Sequence, residues 1–111
     1  MATSEMILEV TDVTFADEVE KGPGIQMVDF WAVWCGPCRL VAPIVGELAE
    51  QYKDKGVHVS KLDVDANPKT TTRFRVMSIP SILFFKDGAL IDTVVGAVPK
   101  AQLEERIKKH L

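Results

Sequence analysis

Two sulfur atoms carry the chemistry this sequence can do. The chain holds two cysteines, in the run Trp34-Cys35-Gly36-Pro37-Cys38. Before it, Val28-Asp29-Phe30-Trp31-Ala32-Val33 is an apolar run that reads as a buried strand, and after it Arg39 to Ala49 has helical spacing. The pair therefore falls where a strand turns into a helix. Residues i and i+3 are neighbours on a helical turn, so their Cα atoms can fall within the roughly 4.4–6.8 Å that a disulfide needs. Cys35 would stand at the helix N-terminus, where free backbone N–H groups and the positive dipole end favour an anion. The thiolate is such an anion, and it is the reactive form of cysteine. A free thiol has a pKa of about 8.5, which leaves about 3 % thiolate at pH 7. Bringing the pKa near 7 takes about 2 kcal/mol. A helix terminus offers roughly 0.3–2 kcal/mol, and charge-assisted hydrogen bonds from backbone N–H or from the second thiol can add the rest. Cys38, one turn into the helix, is expected to be the more buried thiol. The arrangement reads as a redox dithiol.

Two blander readings weigh less. Zinc wants four ligands, and beyond the cysteines the only soft candidates are His58, in a strand, and His110, near the C-terminus. Arg39 after Cys38 excludes the haem-attachment pattern. Two inert core cysteines fit poorly with a position at a helix start. The run Asp63-Val64-Asp65-Ala66-Asn67 imitates the start of a calcium loop, but its sixth position is Pro68 and its twelfth is Phe74, where such loops need Gly and Glu. Those carboxylates read as solvated strand-end groups. Neither a metal nor an organic cofactor is expected.

The elements that must position the cysteines follow from the pattern. Ile7, Leu8 and Val10 suggest a first strand, and Thr11 or Asp12 a cap for a helix carrying Val13, Phe15, Ala16 and Val19. Gly22-Pro23-Gly24 turns the chain into a second strand from Ile25 to Val33, apolar enough for a central position covered on both faces. The next helix runs to about Tyr52 with Pro43 inside it, where a kink is expected. Val57, Val59 and Leu62 make a third strand, and Asn67-Pro68 opens a short helical or irregular segment weakened by Thr70-Thr71-Thr72. Ile82 to Phe85 and Leu90 to Val95 form a hairpin about Asp87-Gly88. A last helix from Pro99 places Leu103, Ile107 and Leu111 on one stripe. This order implies an α/β fold whose sheet mixes parallel and antiparallel pairs.

Length and composition set the outer limits. The 111 residues, nearly half hydrophobic, suit a single domain spanning 1–111. A net charge of −3 argues against a nucleic-acid partner. No run approaches the roughly 18 apolar residues of a membrane helix. The N-terminal residues lack the basic and apolar regions of a signal peptide, which favours a cytoplasmic location and a dithiol resting state.

Asp29 is an anomaly, a lone carboxylate in an apolar strand. By alternation it shares a face with Met27 and Trp31. If the strand is central, burial penalises ionisation and raises its pKa, and such a group can take a proton from Cys38. The competing reading is an Asp on a solvated face.

The pentapeptide, with Val28-Asp29-Phe30-Trp31-Ala32 before it, resembles the thioredoxin family, and the resemblance extends from about Met6 to His110. Gly36-Pro37 between the cysteines is the form of thioredoxins proper. The resemblance implies the thioredoxin fold: a central five-stranded mixed β-sheet flanked by four helices. It implies that Cys35 attacks a substrate disulfide and Cys38 resolves the mixed disulfide, with the internal disulfide recycled by thioredoxin reductase. It implies that Asp29 is buried as proton acceptor for Cys38, with Lys61 near it; from the residues alone, Lys61 reads better as a solvated strand lysine. Ile79-Pro80 resembles the family's cis-proline loop, whose backbone pairs with an extended substrate. Trp34, Gly36, Pro37, Val64, Ile79, Pro80, Gly96 and Ala97 match the substrate-binding rim, where a glycine lets a partner backbone approach. Implied partners are ribonucleotide reductase, peroxiredoxins and methionine sulfoxide reductases, met by a monomer. Val33, Arg39, Ser78 and the threonine run depart from the usual pattern and bear on partner preference and redox tuning. Two other readings stand beside this one: an oxidase or isomerase of an oxidising compartment, and a binding subunit that docks a larger enzyme without redox turnover.

Overall fold

Strand β2 (Ile25–Trp31) lies at the centre of the computed structural model, which describes residues 7–111. Around it the chain forms β1 (Ile7–Glu9), a π-helical turn (Ala16–Glu20), α1 (Gly36–Tyr52), β3 (Val57–Asp63), α2 (Pro68–Arg73), β4 (Ser81–Lys86), β5 (Ala89–Val95) and α3 (Lys100–His110). The sheet order is β1-β3-β2-β4-β5. β3 pairs in parallel with β1 and β2, whereas β4 runs antiparallel to β2 and β5. This is the expected mixed five-stranded sheet with four helical segments, α1 running on into a short 3-10 turn (Lys53–Lys55).

Both faces of β2 are covered, which is why it is buried from Ile25 to Phe30. On one face Met27 joins Val59 and Phe84 beneath Val41, Val45 and Leu48 of α1 and Leu103 and Ile107 of α3. On the other, Val28 and Phe30 join Leu83 and Phe85 against Val10, Phe15 and Val19. Phe15, Phe74 and Phe85 meet pairwise with ring centroids 5.1–5.5 Å apart, the spacing of favourable aromatic pairs. The β4–β5 hairpin turns on Asp87 and Gly88, both with positive φ (54° and 81°), as the two-residue turn that matches strand twist requires.

Four expectations change. β2 ends at Trp31, and Val33 is 64 % exposed, because the chain leaves the sheet to enter the cysteine turn. Near Thr11 there is only a turn followed by the π-helical segment, and Val13 is 88 % exposed. Thr11 does serve that turn, its Oγ1 accepting from Thr14 N–H at 3.2 Å. Asp12 instead reaches α2: Oδ1 accepts from Thr70 N–H at 2.8 Å and Thr70 Oγ1 at 2.7 Å, and Oδ2 from Lys69 N–H at 3.2 Å. That remote cap satisfies the first turn of a helix otherwise poor in helix formers. Finally, the apolar stripe of α3 stops at Ile107; Leu111 lies past the helix end and is 56 % exposed. α1 continues through Pro43 without interruption.

Candidate active site

Cys35 is the N-cap residue of α1, with extended backbone (φ −87°, ψ 108°), and the helix begins at Gly36 with Pro37 in its first turn. Proline fits there because its missing N–H would have had no intrahelical partner. The two cysteines form a disulfide with Cα atoms 5.3 Å apart. The backbone N–H of Cys38 donates to Cys35 Sγ at 3.2 Å. The sulfur thus takes the capping position that a serine or aspartate oxygen usually fills. A hydrogen bond to that atom favours its anionic form once the disulfide opens.

The expected difference in burial between the cysteines is absent: Cys35 is 3 % and Cys38 4 % exposed. Both pack with Ala32, and Trp31, Val64 and Ile79 close the cluster. Gly36 and Pro37, between them, are exposed.

Behind Cys38 lies a cavity of about 370 Å³ lined by Asp29, Trp31, Ala32, Val33, Cys38, Arg39, Ala42 and Lys61. Asp29 is 5 % exposed, and its Oδ1 has no hydrogen-bond partner. Burial pushes its pKa up from 3.8 to about 7, while the Lys61 ammonium pulls the other way. Lys61 is the direct register partner of Asp29 across β2 and β3. It is half-buried, with Nζ 5.3 Å from the Trp31 ring centroid, so the indole face offers the ammonium a second favourable contact. Lys61 is therefore not the freely solvated strand lysine that its position in the sequence suggests.

Of the residues expected to form a rim, Val64 and Ile79 pack against the cysteines. Trp34 is 67 % exposed, and its indole N–H donates to Asp65 Oδ2 at 2.7 Å. Asp65 thus holds the ring, a contact the sequence gives no sign of, while Asp63 accepts from Asp65 and Ala66 N–H and shapes the turn. The Ile79–Pro80 peptide is cis. Gly96 N–H donates to Pro80 O at 2.8 Å, which ties the cis-proline loop to the end of β5. Gly96 adopts φ +99° with nothing within 4 Å of where a Cβ would stand, so the backbone angle, not crowding, calls for glycine there. Ala97 is exposed, and Val64 and Ile79 are half-buried beside the cysteines. Arg39 turns back over the site, its Nη2 donating to Val33 O at 2.8 Å.

Among the described residues, no group of three or more His, Cys, Asp or Glu side chains is placed to hold a metal ion. No helix among the described residues is long and apolar enough to cross a membrane.

Comparison with known proteins agrees with this geometry. The thioredoxin family model matches residues 6–109. Thioredoxin from Staphylococcus saprophyticus is 51 % identical over 105 residues, covering 95 % of this chain and 98 % of the relative. Thioredoxin from Staphylococcus aureus shows the same identity and coverage. With a Cys35–Cys38 disulfide capping α1 and a family match over nearly its full length, the chain belongs to the thioredoxin family of thiol–disulfide oxidoreductases.

Proposed function

We propose that this protein reduces protein disulfides by a two-step exchange in which Cys35 attacks and Cys38 resolves. The observation that carries the assignment of roles is the cap: Cys35 Sγ accepts from Cys38 N–H at the helix N-terminus. That position favours the thiolate at Cys35.

In the first step Cys35 thiolate attacks one substrate sulfur. A Cys35–substrate S–S bond forms, the substrate S–S bond breaks, and the departing thiolate takes a proton. In the second step Cys38 gives its proton to Asp29 and attacks Cys35 sulfur. The internal disulfide forms, and the second substrate thiolate leaves and is protonated. Two electrons and two protons have passed to the substrate. Asp29, with a pKa of about 7, is about half ionised at neutral pH, so it can accept this proton and give it back. Lys61 limits how far that pKa rises.

Trp34, Gly36, Pro37, Val64, Ile79, Pro80, Gly96 and Ala97 form the docking rim in this reading. It is supported by the exposure of Trp34, Gly36 and Pro37 beside the disulfide and by that of Ala97 next to Gly96, whose N–H meets Pro80 O. An extended substrate segment pairs there with the Ile79 backbone. The chain acts as one domain and as a monomer, without a cofactor other than its own disulfide. In the cytoplasm it would be re-reduced by thioredoxin reductase and would pass electrons to ribonucleotide reductase, peroxiredoxins and methionine sulfoxide reductases. The test is reduction of a disulfide-bonded test protein in the presence of dithiothreitol. The native chain accelerates it, and Cys35→Ser abolishes the acceleration; an active Cys35→Ser variant would refute the assignment.

A further inference from the structure

Met77 is the most exposed large apolar side chain among the described residues, at 91 %. The apolar residues nearest it in the chain do not share this exposure: Val76 and Ile79 are half-buried against the Phe15–Phe85 side of the core. The segment is held on both sides. Val76 N–H donates to Thr71 O at 3.0 Å. Ser81 Oγ donates to Ser78 O at 2.6 Å. Met77 is thus presented to solvent by an anchored backbone. It lines a cavity of about 210 Å³ with Arg75, Val95 and Thr93. Val95 is itself 56 % exposed. It pairs with Ser81 across β4 and β5 and precedes Gly96, whose N–H meets Pro80 O. Two residues of the cavity, Ser78 and Val95, immediately precede the rim residues Ile79 and Gly96, so the cavity lies next to the docking rim at the β5 edge of the sheet.

We propose that Met77 is a specificity-determining contact for the protein substrate and a peroxide-sensitive modification site that weakens that contact when oxidised. The proposal rests on the docking rim assigned above. The unbranched thioether adapts to varied apolar side chains, so with Val95 it takes an apolar residue flanking the substrate cysteine. The same sulfur is open to oxidants. A hydroperoxide transfers its terminal oxygen to Met77 sulfur: the O–O bond breaks, an S–O bond forms, and the peroxide leaves as water or alcohol. The thioether loses two electrons and the peroxide gains them. The product is polar and chiral, a poor partner for an apolar side chain. The other described methionine, Met27, is fully buried and serves as an internal reference.

The experiment treats the protein with hydrogen peroxide while Cys35 and Cys38 are already joined, which protects the thiols. Peptide mass spectrometry then follows oxygen uptake. Dithiothreitol restores the dithiol, and reduction of a protein disulfide is compared with reduction of a small aromatic disulfide. The expected result is oxygen on Met77 well before Met27, with KM for the protein disulfide raised roughly three- to tenfold and the small-disulfide rate unchanged. Met77→Leu, whatever its starting KM, should show the same KM before and after peroxide, which also separates Met77 from Met1 and Met6. Met77→Gln should show the raised KM without peroxide. An unchanged KM after oxidation, slow oxidation of Met77, or equal peroxide sensitivity in Met77→Leu would each overturn the proposal. If the untreated protein fails to reduce the protein disulfide at all, the fault lies instead with the assigned exchange reaction.

Discussion

Asp29 and Lys61 face each other across the parallel β2–β3 pair, and both line the cavity that reaches Cys38. The carboxyl is buried and only partly compensated, one oxygen being without a hydrogen-bond partner. A protein keeps such a group at a cost in stability. The direction of that cost can be measured. The folded state holds the Asp29 proton up to about pH 7, whereas the unfolded state releases it near 3.8. Stability should therefore fall as pH rises between those values and level off above them. The full shift corresponds to about 4 kcal/mol. Asp29→Asn should flatten this pH dependence and be more stable than the native chain at pH 8 by about 2–4 kcal/mol. Denaturant unfolding at pH 4 and pH 8 tests this. The same variant should slow resolution of the mixed disulfide roughly ten- to a hundredfold, read by stopped-flow.

Lys61→Met removes the charge that opposes the rise of the Asp29 pKa. The carboxyl should then titrate at higher pH, and the pH profile of the resolving step should move in the same direction. Carbon-detected NMR titration of Asp29 gives the shift directly. A lower Asp29 pKa in this variant would contradict the coupling.

Sequence alone reveals the two cysteines and the central strand because their signals are local. A three-residue spacing, an apolar run and a helical stripe need no tertiary information. The burial of Asp29 is legible for the same reason, since alternation puts it beside Met27 and Trp31. The local pattern around Lys61 leaves its role open, because a strand lysine points to water or to a carboxylate according to which strand lies next to it, and register is a tertiary property; only the family resemblance sets it beside Asp29. Asp12 shows the same limit. Its position suggests a local cap, yet it closes a helix more than fifty residues away. The anchoring of Trp34 by Asp65 and the exposure of Met77 depend on how distant turns meet, and the local pattern carries no trace of either. The equal burial of the cysteines reflects the cluster of Ala32, Val64 and Ile79 around both sulfurs, which helix position alone does not foresee.

The remote cap yields a stability prediction. Asp12→Ala removes three acceptor contacts from the first turn of α2. Partial burial works to raise the Asp12 pKa, but the hydrogen bonds from Thr70 and Lys69 and the Lys69 charge bring it below 3.8. Its contribution is therefore present above 3.8 and lost as pH falls through the lowered value. The variant should melt at a lower temperature near neutrality, and the difference should shrink in acid. Thermal scans at pH 7 and pH 2 decide it.

Gly96→Ala asks what the left-handed backbone at the rim is worth. No neighbour obstructs the added methyl, so the destabilisation should be conformational, about 1–2 kcal/mol. On the docking rim proposed above, the methyl would also meet an approaching substrate backbone, so KM for a protein disulfide should rise while a small disulfide is reduced at the native rate. Equal losses on both substrates would place the effect in the chemistry instead.

The division of labour between the sulfurs is most directly tested by trapping. Mixed with a disulfide-bonded test protein, Cys38→Ser should accumulate a covalent complex joined through Cys35, seen on a non-reducing gel and located by peptide mass spectrometry. Cys35→Ser should form none. A stable adduct through Cys38 in Cys35→Ser, with none through Cys35 in Cys38→Ser, would reverse the assigned roles.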